Sequence, residues 1–328
     1  MLNKLVDEMR YSGRYAWVSA KNRIGISPKS DKAHLCERIV RAIARGRIHP
    51  DSAFTAGVRP DGLGAVMIQR LSIQAAAYDM GFAYYHKPFD FVGHQEMELE
   101  DWVRCCEAEF ELGHGLPQAG ECDLPYVEFL DYAVDERLWR QPHLIGFREM
   151  FRYCNARPHL MDGLPWGARY RARAGALVRS TPGRRRVAVH VRRGDVSRSE
   201  TTKRFTPNAA ILRTVEGVVR GLEAHGVPHD VEIHSNGSAE ELRDFIDRGY
   251  RIADAPGAIE SFRKLATADV LVMAKSTFSY VAGLAASGVV VYEPQGYARV
   301  PRWVERNEDG TVVDEQLREA LVLLGQQG

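Results

Sequence analysis

The chain has little of what would mark a secreted, membrane-spanning or metal-dependent protein. Its five cysteines, Cys36, Cys105, Cys106, Cys122 and Cys154, are an odd and scattered set with no C-x-x-C pair. That excludes a disulfide framework and a zinc ribbon and points to a reducing compartment. No run reaches the roughly 18 apolar residues that a spanning helix needs. The most apolar stretch, Val270 to Tyr292, is broken by Lys275, Gly283 and Gly288. Lys4, Asp7, Glu8 and Arg10 leave no room for a signal h-region at the Met1 end. An excess of one charge is missing too: 44 basic residues face 43 acidic ones, for a formal net charge of +1. No global field therefore favours nucleic acid or an anionic membrane, and any basic site must be local. There is no Asp-x-Asp and no His/Cys/Asp cluster with metal spacing. These absences predict a protein with no metal cofactor, no nucleic-acid partner and no transmembrane segment, cytoplasmic or peripheral at the inner membrane.

What is present is an ordinary globular balance, 45% hydrophobic and 27% charged in 328 residues, enough for about two domains. Residues 1–50 read as a basic helical extension, in which Leu35, Ile39, Val40 and Ile43 recur at helical spacing after a Ser30/Asp31 cap and stop at Gly46. Asp61 to Ala65 is a glycine turn that feeds a helix ending at Gly81, and Phe82 to His86 reads as a strand. Glu96 to Leu112 reads as an acidic, exposed helix, and 113–165 carries no clear pattern. From Arg186 the chain alternates strand and helix. Strands are expected at 186–191, 231–235, 251–252, 270–273 and 289–292, helices at 208–225, 239–246, 259–267 and 278–286, and a closing helix at 314–324. Strands separated by crossover helices predict a doubly wound parallel sheet of the nucleotide-binding type. The expected division is 1–50, 51–165, 166–310 and 311–328.

Chemistry concentrates at two strand ends. In an open α/β sheet, ligands bind outside the carboxyl ends of the strands. His190-Val191-Arg192-Arg193-Gly194-Asp195 delivers two arginines and an acid at one such end. Guanidinium groups fork onto phosphate oxygens and suit a diphosphate whose charge grows as it leaves. The plain alternative is a salt-bridged strand end. Lys275-Ser276-Thr277-Phe278-Ser279 follows another strand and opens a helix, where hydroxyls and free N–H groups form an anion site. Plain capping by Ser276 or Thr277 is its alternative. Gly62-Leu63-Gly64 lacks the third glycine of a dinucleotide fingerprint, since position 67 is Met, and Tyr84, Tyr85 and His86 stand where its acid would be. It reads as a close backbone approach to a ligand or as turn chemistry, and an oxidoreductase is disfavoured.

Taken together, these residues resemble the fucosyltransferase superfamily that includes bacterial α1,2-, core and nodulation-type α1,6-, and protein O-fucosyltransferases. The His-x-Arg-Arg-x-Asp-like motif is matched by His190, Arg192, Arg193 and Asp195. The Ser-x-Phe-Ser-like motif is matched by Ser276, Phe278 and Ser279. The Gly-Leu-Gly-Asn-Gln-Met-Phe-Gln opening of the α1,2 branch is matched by Gly62, Leu63, Gly64, Met67 and Gln69, with Ala65-Val66 replacing Asn-Gln. The resemblance covers about 58–90 and 185–295. It implies a GT-B-like fold, two Rossmann-like doubly wound domains facing a cleft. It further implies a metal-independent inverting glycosyltransferase that moves fucose from GDP-fucose to a hydroxyl of a glycan or glycoconjugate, as in polysaccharide biosynthesis. Arg192 would hold the β-phosphate, Arg193 would support it, and Lys275 and Ser276 to Ser279 would close on the diphosphate. Ser235 and Asn236, with His234, would approach the nucleoside, and Asp254 the ribose or base. Glu200, at the offset of the catalytic acid in the core α1,6 enzymes, would be the base. The alternatives are a transferase for another nucleotide-diphosphate sugar and a non-catalytic sugar-nucleotide-binding protein on the same fold.

Overall fold

The computed structural model describes residues 28–178, 181–194, 196, 203–254 and 257–325. Of the basic extension, only the part from Pro28 on falls within them. It forms the helix Pro28–Ala44, which starts ahead of the Ser30/Asp31 cap and ends before Gly46, whose positive φ of 64° terminates it.

The first half holds four short parallel strands, β1 (Ala53–Ala56), β2 (Ala83–Tyr84), β3 (Tyr126–Glu128) and β4 (Leu144–Phe147), in the order β2-β1-β4-β3. The strand expected at 82–86 is only two residues long, and β1, β3 and β4 carry no clear alternation to announce them. The helix from the glycine turn runs Leu63–Asp79 and is buried along nearly its whole length. The helix Leu99–Phe110 is not the exposed element its acids suggest: Trp102, Cys106, Glu109 and Phe110 are buried.

The second half holds six parallel strands, β5 (Arg185–His190), β6 (His229–His234), β7 (Arg251–Ile252), β8 (Val270–Val272), β9 (Val289–Tyr292) and β10 (Val304–Glu305). Their order is β10-β9-β8-β5-β6-β7. The chain builds outward from β5 through β6 to β7, then crosses back to lay β8 on the other side of β5. That is the doubly wound order, and the reversal between β5 and β8 is a topological switch point. Successive residues of one strand supply two different cores, because side chains alternate across a sheet. Val187, Val189, Val270, Val272, Val289 and Val291 enter the core closed by the helices Asn208–Ala224 and Asp314–Gly325. Ala188, Leu271 and Val290 enter the other.

That other core is shared between the halves. It runs without interruption from Phe54 and Ile145 of the first sheet to Leu271 and Val290 of the second. Phe262 sits edge-on to both Phe110 (5.0 Å) and Tyr170 (5.3 Å) across the join. Arg263 forks onto Glu109, which also accepts a 2.9 Å hydrogen bond from the Tyr170 hydroxyl. Glu96 accepts the Ala258 backbone N–H and so caps a helix of the opposite half. The halves thus pack against each other over one shared core. No helix among the described residues is long and apolar enough to cross a membrane.

Candidate active site

Parallel pairing decides where the two motif turns go. Val189 lies opposite Val272, so β5 and β8 end side by side and their following turns leave one edge of the sheet. Neighbouring strands are about 4.8 Å apart, so the turns at 191–194 and 274–277 are adjacent by construction. The His190 ring lies 5.7 Å from the Phe278 ring, which joins the two turns at their base. The switch point is therefore lined by both motifs.

Adjacent arginines have opposite fates. Arg193 is 2% exposed, and its guanidinium donates to the Arg192 carbonyl (2.7 Å), the Thr206 carbonyl (3.0 Å) and the Asn208 side chain. It also lies 4.6 Å over the Phe205 ring. Its donors are directed to the 205–208 segment, so it shapes the turn from below. Arg192 is only half-buried. Gly194 has φ of 73°, which favours glycine in the turn, and a Cβ there would have to displace the end of the Asn236 side chain at 2.7 Å. Asp195 and Glu200 lie outside the described residues.

The second turn is similarly layered. Ser276 caps the helix Thr277–Ala285, its Oγ accepting from the Phe278 N–H at 3.3 Å. Ser279 is fully buried, its hydroxyl directed to the Ala274 (3.2 Å) and Ser276 (3.3 Å) carbonyls. It braces the turn from within, unlike the outward hydroxyl the motif suggests. Phe278 packs edge-on to Phe262 at 5.3 Å. Ser276 and Thr277, with the backbone N–H groups of the first turn, are what this helix start offers to an anion. Lys275 stands beside them, 3.8 Å from Glu293.

The glycines of the first half reach the same place, but they meet protein. A Cβ on Gly64 would fall 2.5 Å from the Phe278 nitrogen and 2.6 Å from its Cα. The helices Leu63–Asp79 and Thr277–Ala285 therefore abut at their N-terminal turns. Gly62 is the N-cap of the first of them, without a side-chain cap, and Leu63 is buried. The close approach that glycine permits here is between the two halves.

At the other side of β5, Ser235 accepts the Gly237 N–H (3.1 Å) and Asn236 accepts the Arg193 N–H (3.4 Å). Asp254 is exposed beyond the end of β7. Below them is a charged floor. His234 contacts Glu232 at 3.3 Å, and each is 2% exposed. Burial alone would raise the Glu232 carboxyl, but bonding to His234 with Lys264 and Arg251 nearby holds it down at about 2. His190 is driven the other way. Burial, then the charges of His234 and Arg192, push its imidazole down to about 3, so it stays neutral at ordinary pH.

Residues absent from the motifs complete the edge. Glu293 and Arg306 are each 1% exposed and 3.1 Å apart, and Glu293 also accepts from Thr206. Glu293 thus ties the Lys275 turn to the segment that Arg193 holds. Tyr297 brings its hydroxyl to 3.5 Å from Thr277 Oγ1. Both follow β9, and the strand-end rule applied to β9 would have flagged them. Among the described residues, His190 Nδ1, His234 Nδ1, Glu293 Oε2 and Gln295 Nε2 along this edge are buried polar atoms without a hydrogen-bond partner.

No protein-family description matches the sequence. No curated protein matches it either. Among solved structures, the chain is similar to the fucosyltransferase NodZ from Bradyrhizobium, at 16% identity over 72% of this chain and 94% of that one, with a TM-score of 0.41. NodZ α-1,6-fucosyltransferase co-crystallized with GDP gives 16% identity over 80% and 98%, TM-score 0.43. POFUT1 in complex with GDP gives 13% identity over 77% and 100%, TM-score 0.41.

Proposed function

We propose that the protein is an inverting glycosyltransferase that binds a GDP-sugar, GDP-fucose by the motif resemblance, and transfers the sugar to a hydroxyl of a glycan or glycoconjugate. One observation carries the reading: the Arg192 turn and the Ser276 turn leave neighbouring strands at the switch point of the second sheet. Two anion-seeking turns at that position fit one pyrophosphate.

In this reading the diphosphate lies across the ends of β5 and β8. Arg192 forks onto its oxygens, and Ser276 and Thr277 donate hydroxyl and backbone hydrogens from the helix start. As the anomeric bond breaks, charge builds on the leaving GDP. Arg192, Lys275 and the two abutting helix ends are positioned to stabilise it, which is the role a divalent cation plays in other transferases. Among the described residues no three His, Cys, Asp or Glu side chains gather as a metal site. Arg193 and Ser279 act one layer down, holding the turns in shape. Ser235, Asn236 and Asp254 flank the nucleoside side. The acceptor hydroxyl enters in line with the departing phosphate, and Glu200 takes its proton. Thr206, the residue before the Pro207 cap of the helix Asn208–Ala224, is anchored by Arg193 and Glu293. Five free thiols support a cytoplasmic setting, including the cytoplasmic face of a membrane.

Thermal-shift measurement against GDP, UDP, ADP and NAD tests the donor class, since a ligand that binds the folded state raises its stability. A shift selective for GDP is expected. Equal shifts with all four, or none, would remove the proposal. Glu200→Gln is expected to leave GDP affinity intact while lowering sugar transfer at least about 100-fold, the usual contribution of a general base. Unchanged transfer would return Glu200 to the surface.

A further inference from the structure

The order of the strands gives a bound GDP-sugar a direction, and the segment after β9 lies where its far end falls. Resting on the GDP-sugar reading, we infer that residues 293–298 form the pocket for the transferred sugar, with Tyr297 and Gln295 contacting its hydroxyls. Along the sheet edge the nucleoside side is over β6 and β7, where Ser235, Asn236 and Asp254 stand. The diphosphate is over β5 and β8. What remains of the donor continues in the same direction, toward β9 and the first half.

That segment is rigidly built. The Tyr292 hydroxyl donates to the Tyr297 carbonyl and accepts the Gln295 N–H at 3.2 Å, which curls the backbone around one phenol. From the first half, Asn155 donates to the Gly296 carbonyl and accepts the Ala298 N–H, each at 3.0 Å. The Tyr297 ring is held 5.3 Å from Phe151 of the first half and 5.0 Å from Tyr280 of the second. So fixed, it sets its hydroxyl 3.5 Å from Thr277 Oγ1, at the open end of the helix. A phenylalanine would satisfy the packing equally well, so the hydroxyl is surplus to it. In the same segment the Gln295 Nε2 group is buried and donates to nothing. A phenol and a carboxamide are neutral groups that both donate and accept. They match sugar hydroxyls, whereas a pyrophosphate calls for the cations found one strand away.

The test compares Tyr297→Phe and Gln295→Leu with the unaltered protein by calorimetry, using GDP and GDP-fucose as separate ligands and recording Tm for each. Each variant is expected to weaken GDP-fucose roughly 3- to 10-fold, the worth of one neutral hydrogen bond, with GDP held within about twofold. Equal weakening of both ligands would mean that these residues serve the diphosphate or the fold, and no change for either would mean that they face no ligand. Both results overturn the inference while leaving the GDP-sugar reading intact. Failure of the unaltered protein to bind GDP would instead remove that reading, and the inference with it.

Discussion

The two helix starts that meet at the join are built on opposite plans. The helix Thr277–Ala285 begins with side chains: Ser276 caps it, Thr277 offers a hydroxyl and Lys275 stands beside it. The helix Leu63–Asp79 begins with their absence: Gly62 caps it without a side chain, and Gly64 has no Cβ because the Phe278 backbone occupies that space. One half supplies chemical groups and the other supplies room. A helix dipole needs no side chain to act, so the bare start still contributes its field once the close contact is made.

The contrast is broken most forcefully at the arginine turn. Arg192→Ala is expected to abolish sugar transfer and weaken GDP by about 2–5 kcal/mol. Arg193→Ala should act through the fold, lowering stability by about 2–4 kcal/mol because buried carbonyl and amide partners lose their donor. Denaturant titrations paired with GDP binding separate the two, and an Arg192 variant that bound GDP normally would contradict its role.

Gly64→Ala probes the other side of the comparison. The new methyl has only backbone to displace, so an overpacking cost of about 1–3 kcal/mol is expected together with weaker GDP binding, because the Ser276 turn must move. Normal stability and affinity would mean that the join is looser than described. A smaller and continuous effect comes from pH. His190 is held below its ordinary value of 6.5, to about 3, so the unfolded chain takes up a proton first as pH falls. Stability is then full above pH 6.5 and falls by at most about 1.4 kcal/mol per pH unit below it. Glu232, lowered from 4.5 to about 2, adds its own loss only below pH 4.5. His190→Phe should flatten the Tm profile between pH 6.5 and 4.5, and a profile as steep as before would place the titration elsewhere.

Legibility followed burial pattern. β8, β9 and the centre of β5 are runs of valine, leucine and alanine buried on both faces, and such runs announce parallel strands without help from context. β1 and β10 carry no alternation that sets them apart and were not read, while β2 was expected, though longer than its two residues. The 113–165 region hid β3 and β4 between short helices. Helix boundaries in the second half fell within one or two residues of the expectation, except that Arg243–Ile246 is a single turn where a longer helix was expected. At the site, His190, Arg192 and Ser276 were visible as motif residues. Glu293, Gln295 and Tyr297 follow β9 and lay within reach of the strand-end rule, but no motif marked them, and the sequence does not show that Glu293 is tied to a buried arginine.

The amino-acid order alone determined the alternation of strand and helix and the residue types at each strand end, since hydrophobic period and turn chemistry are local properties. Which strands became neighbours was decided only when the chain folded back between β7 and β8. From that crossing came the pairing of the two turns. The abutment of Gly64 on Phe278 came from packing the two halves over one core. Those outcomes depend on contacts between residues far apart in the chain, and no local pattern encodes them.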